Sequence, residues 1–94
     1  MGSRGELPVA CVGIDIGKDA CTATIITKTG HLRGRLDFEN RPEGFAKLTT
    51  RLKPRDLLLM EAGTYIYPLH DHFRRLGFEV LVGHPRAIRQ ITES

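Results

Sequence analysis

Two short apolar runs that each stop at an acid constrain this chain more than any other feature. Leu7 to Ile16 reads LPVACVGIDI, with Asp15 at its end and a Gly17-Lys18-Asp19 turn signal behind it. Leu57-Leu58-Leu59-Met60 follows Pro54 and leads directly into Glu61, Ala62 and Gly63. The second run is too short for a helix, and near-continuous apolar character bounded by turn residues is what a buried strand needs. A strand buried in this way costs free energy wherever it ends in an acid, unless that acid has a partner.

The segments between the runs complete the element order. Ala20 to Lys28 is rich in Thr and Ile and reads as a second strand. Thr29-Gly30 reads as a two-residue turn, returning His31 to Phe38 as a third, antiparallel strand. If the first two strands fold about Gly17-Lys18, Cys21 falls opposite Asp15 and Cys11 opposite Ile25, too far apart along the ladder for a disulfide. With no CxxC or Cys/His metal spacing, both cysteines read as buried thiols.

Asn40-Arg41-Pro42-Glu43 has the form of a helix start, with Asn40 as N-cap and Phe45, Leu48 and Leu52 at helical spacing, which predicts a helix over about 42–52. Tyr65, Leu69, Phe73 and Leu76 mark one face of a second helix that ends at Gly77, with a first turn that Pro68 makes irregular or late. Phe78 to Val82 is a fifth strand, and Pro85 opens a terminal helix carrying Ile88 and Ile91. The order is βββαβαβα. Three antiparallel strands followed by right-handed crossovers give a mixed α/β sheet, the order of the ribonuclease H-like fold, here truncated at its C-terminus. In such a sheet the first and fourth strands are parallel neighbours, and ligands collect beyond their carboxyl ends, where Asp15 and Glu61 stand.

Composition narrows the class. The chain has 94 residues, 14 Lys+Arg against 11 Asp+Glu and a formal charge of +3, which is one small domain with a mild basic excess. No apolar run approaches the roughly 20 residues of a membrane span, so the reading is a soluble cytoplasmic protein with no membrane partner. Residues 1–6 read as a flexible N-terminus or cloning remnant.

Two carboxylates at adjacent strand ends repel each other unless a cation lies between them, and hard oxygen ligands suit Mg²⁺ or Mn²⁺. In phosphodiester chemistry such ions activate the attacking oxygen and stabilise the leaving one. Asp15 and Glu61 are therefore the candidate catalytic and metal-binding residues. Arg33 and Arg35 share one face of the third strand by period-two spacing. Together with Lys18, Arg86 and Arg89 they are the candidate nucleic-acid contacts.

Four blocks carry a resemblance: GIDIGKD (13–19), FENRPEGF (38–45), MEAGTYIYPL (60–69) and GFEVLVGHPRAIR (77–89). Together they resemble the DEDD-type insertion-sequence transposases of the Piv/MooV-like group, whose catalytic domain is similar to that of the Holliday-junction resolvase RuvC. The resemblance implies metal-dependent DNA strand cleavage and joining in transposition, with Asp15 and Glu61 as the first two acids of the set. It also implies DNA as partner, with a guide RNA as a further possibility; self-association is expected from the apolar patch that loss of the helix covering part of the sheet would leave. The family's other two acids and its nucleophilic serine lie further along than Ser94, so this 94-residue chain reads as a partial catalytic domain that folds, binds metal weakly and does not catalyse alone. Where the family commonly has Glu-Ala-Thr-Gly, this chain has Glu61-Ala62-Gly63, one residue shorter. Rival readings are a nucleotide-binding fragment, since GIDIG also resembles the first phosphate loop of actin-like ATPases and sugar kinases, and a non-catalytic nucleic-acid-binding or dimerisation module on the same fold.

Overall fold

The computed structural model describes residues 10–83. They form β1 (Ala10–Ile16), β2 (Ala20–Thr27), β3 (Leu32–Glu39), α1 (Pro42–Thr49), β4 (Leu57–Glu61), α2 (Tyr67–Arg75) and β5 (Glu79–Gly83). The five strands make one mixed sheet in the order β3-β2-β1-β4-β5. β2 is antiparallel to β1 and β3, while β1, β4 and β5 run parallel. This α/β architecture is consistent with a ribonuclease H-like fold; the terminal helix expected after Pro85 lies outside the described residues.

Both described helices pack on one face of the sheet. Val12 and Ile14 of β1, Ala23 and Ile25 of β2, Leu58 and Met60 of β4 and Val80 of β5 meet Phe45 and Leu48 of α1 and Leu69 and Phe73 of α2 in one buried cluster. Strand alternation sends the intervening residues, among them Asp15, Thr22, Thr24, Arg35 and Asp37, to the opposite face. Aromatic edges lock the helix layer, with Phe73 edge-on to Phe45 at 6.1 Å and to Phe78 at 5.7 Å.

The β1–β2 hairpin turns on Lys18-Asp19, not Gly17-Lys18. Gly17 donates to the Ala20 carbonyl at 2.9 Å, so Ile16 pairs with Cys21, Asp15 with Thr22 and Cys11 with Ile26. The expected pairing is therefore off by one residue, although the two free cysteines stay far apart. The β2–β3 turn also has one residue more than expected. Gly30 donates to Thr27 and Thr27 to His31, leaving Lys28-Thr29-Gly30 as a three-residue loop with Gly30 at φ +90°.

α1 ends at Thr49 rather than near Leu52, and Arg41, not Asn40, occupies its N-cap. α2 starts late, as Pro68 requires, but its core stripe is Ile66, Leu69 and Phe73, with Tyr65 and Leu76 exposed. Its end is a Schellman motif: Gly77 at φ +95° donates to Arg74, Phe78 donates to Phe73, and the Phe73 and Phe78 rings touch.

Candidate functional site

β1 and β4 pair in parallel from Cys11↔Leu57 to Ile14↔Met60. Asp15 and Glu61 are the next residues on each strand, so both stand at the carboxyl ends of neighbouring parallel strands, and both are exposed. Ile14 and Met60, directly before them, are anchored in the core at 1% and 0% exposure. Two neighbouring strand ends thus carry an acid each, one residue past paired backbones that lie roughly 4.8 Å apart.

A third carboxylate, which the sequence reading did not single out, extends the row. Asp15 pairs with Thr22 across β2, and Thr22 pairs in turn with Asp37 of β3. The Thr22 hydroxyl donates to Asp37 Oδ1 at 2.9 Å. Asp37 lies two strands from Asp15, about 10 Å at that spacing, too far to share one ion with Glu61. Among the described residues no group of three or more His, Cys, Asp or Glu side chains is gathered closely enough to hold a metal. The site therefore offers two oxygen-donor side chains, a partial set for a hard cation that takes six oxygens.

The loops behind the two acids are joined by Asn40. Its Nδ2 donates to the Gly17 carbonyl at 2.9 Å and to the Tyr65 carbonyl at 3.1 Å. Sequence reasoning placed Asn40 as a helix cap, and no spacing rule would have found this role, which arises only when three separate segments meet. Beyond Glu61, Gly63, Ile66, Tyr67, His70 and Val82 line much of a cleft of about 370 Å³. His70 Nδ1 lies 3.1 Å from Asp71 Oδ1 on its rim.

The basic residues divide. Lys18 is exposed at the tip of the β1–β2 turn, and exposed Arg35 pairs with Thr24, on the face of Asp15. Arg33 does not share that face. At the irregularity in the β2–β3 ladder at Ile25/Ile26 its guanidinium reaches the segment between α1 and β4, donating to the Arg51 carbonyl at 3.0 Å and to Asp56 at 2.6 Å. Arg86 and Arg89 lie outside the described residues.

Burial raises both thiols above their ordinary range. Cys11 feels desolvation first and the charge of Asp56 second. Cys21 feels desolvation first, partly countered by a hydrogen bond with the Gly17 backbone, while the negative charge of Asp15 pushes it up further.

A comparison with curated proteins finds no match. The family model of the DEDD-type IS110 transposases, described as Transposase, matches residues 12–94, a span that takes in all seven elements except the first two residues of β1. The chain thus belongs to the DEDD-type IS110 transposase family.

Proposed function

We propose that this chain is part of the RuvC-like catalytic domain of a transposase, and that Asp15 and Glu61 are two of the carboxylates that hold its divalent metal during DNA strand cleavage and joining. The observation that carries the reading is the placement of these two acids one residue past Ile14↔Met60, exposed on adjacent parallel strand ends. Family membership supports DNA as the substrate.

Carboxylate oxygens are the hard donors that suit Mg²⁺ or Mn²⁺, and the rest of the coordination would fall to water, to DNA or to further acids. The metal supplies Lewis-acid activation of the phosphodiester and of the oxygen that attacks it. Asp15 and Glu61 each directly follow a residue, Ile14 or Met60, that is anchored in the core. Lys18 and Arg35 offer cations to phosphates on the same side of the sheet. Arg33 is left out of that set because its guanidinium is held by Asp56. A guide RNA rests on the family resemblance alone. Self-association is supported by Leu81 and Val82, exposed on β5, the outermost strand among the described residues.

Strand transfer by the intact transposase tests the reading. Asp15→Ala or Glu61→Ala abolishes Mg²⁺-dependent strand transfer and leaves the circular dichroism spectrum unchanged. Full activity with Asp15→Ala overturns the metal-ligand assignment.

A further inference from the structure

We infer that Asn40 is a positioning residue that sets the separation of Asp15 and Glu61 by tying together the segments that follow them. The parallel ladder between β1 and β4 ends at Ile14↔Met60, one residue before the acids. From that point, backbone pairing between these two strands no longer holds the carboxylate-bearing ends in register. Asn40 supplies the missing tie.

Its Nδ2 has two protons and uses them on two carbonyls, Gly17 O at 2.9 Å and Tyr65 O at 3.1 Å. Gly17 lies two residues after Asp15, and Tyr65 four after Glu61. Because both neighbours are acceptors, only one orientation of the amide is possible; a flipped group would face two carbonyls with its own oxygen. The backbone of Asn40 is held too, since its N–H donates to the Asp19 carbonyl at 3.0 Å. The side chain is therefore mounted on the hairpin that carries Asp15 and reaches across to the loop that follows Glu61.

Helix capping does not account for the residue. α1 is capped at Arg41, with no side-chain cap hydrogen bond. Among the described residues Asn40 Oδ1 has no hydrogen-bond donor, so the side chain's observed bonds are both donated from Nδ2. Asparagine at this place fits the need for a double donor between two loops.

The purpose of the tie rests on the two-carboxylate reading, but its geometry does not, and the test separates them. In the metal-free, isotope-labelled 94-residue chain, nuclear magnetic resonance reads hydrogen-bond couplings from Asn40 Nδ2 to the Gly17 and Tyr65 carbonyl carbons. Their absence overturns the tie whatever the metal does. Mn²⁺ titration then reads the purpose. The wild type loses the Asp15 and Glu61 amide signals together, and Asn40→Ala needs about tenfold more Mn²⁺, about 1.4 kcal/mol, with the sheet resonances in place. Asn40→Ser, which can serve one carbonyl only, falls between them and stands in if the alanine variant does not fold. An unchanged Mn²⁺ midpoint in the folded variants overturns the positioning role. If the wild type shows no Mn²⁺ effect at Asp15 and Glu61, the metal reading and this purpose both fail, and the couplings alone decide the tie.

Discussion

Asp56 accepts two hydrogen bonds at one oxygen, from Arg33 at 2.6 Å and from the Lys53 N–H at 2.9 Å, while fully buried. Among the described residues its other oxygen and Arg33 Nη1 have no hydrogen-bond partner. Such a pair adds little net stability against an apolar substitute, but removing one member strands the other. Asp56→Ala is expected to cost about 3 kcal/mol or more in urea unfolding, with little dependence on salt because the pair is buried. A cost below about 0.5 kcal/mol, the range of ordinary surface changes, would show that the pair braces nothing. The thiols give a second expectation at this scale. Their protons are held more tightly in the folded chain than in the unfolded one, so between the unfolded and folded thiol values the native state binds more protons. Stability is whole below the ordinary thiol value of 9.0 and declines as pH rises past it. Thermal midpoints measured from pH 8 to pH 10.5 should fall, and a Cys11→Ala/Cys21→Ala double variant should flatten the fall. Arg33 and Asn40 show why side-chain roles were the least legible part of the sequence. Period-two spacing put Arg33 beside Arg35, and an Asn ahead of Arg-Pro-Glu looked like a cap; a ladder irregularity and a meeting of three segments decided otherwise.

At the scale of elements, β3 and α1 meet in close contact at Gly44. A Cβ added at Gly44 would lie 1.9 Å from the Glu39 carbonyl oxygen, so the first turn of α1 rests directly on the end of β3. Gly44→Ala should destabilise by about 2 kcal/mol or more, although alanine is the better helix former by about 1 kcal/mol. Gly63→Ala, where nothing lies within 4 Å, should change stability by less than about 0.5 kcal/mol. Equal costs at the two positions in chemical denaturation would contradict this packing. The elements themselves were largely readable, because apolar runs of strand length, Pro42, Pro68 and Gly77 act locally. Exact pairing was not. Whether the hairpin turns on residues 17 and 18 or on 18 and 19 depends on which carbonyl Gly17 meets, and the three-residue turn at Gly30 depends on the Thr27–His31 pair. The α2 stripe shifted from Tyr65 to Ile66 because the helix begins only at Tyr67.

For the whole molecule, the parallel pairing of β1 with β4 is the consequential fact, since it converts two acids 46 positions apart in sequence, Asp15 and Glu61, into neighbours. That β1 and β4 pair in parallel was legible because two buried strands joined through a helical segment need a crossover connection. Asp37 was not, since its place in the same row depends on the β2–β3 pairing. The central claim is that Asp15 and Glu61 form one metal-binding pair. Mn²⁺ added in small steps to the ¹⁵N-labelled chain measures this by paramagnetic broadening of amide signals. The account predicts that the Asp15 and Glu61 amides broaden first and together, and that Asp15→Asn or Glu61→Gln removes the effect at both. Broadening that starts elsewhere, or that persists unchanged at Glu61 in the Asp15→Asn variant, would contradict it.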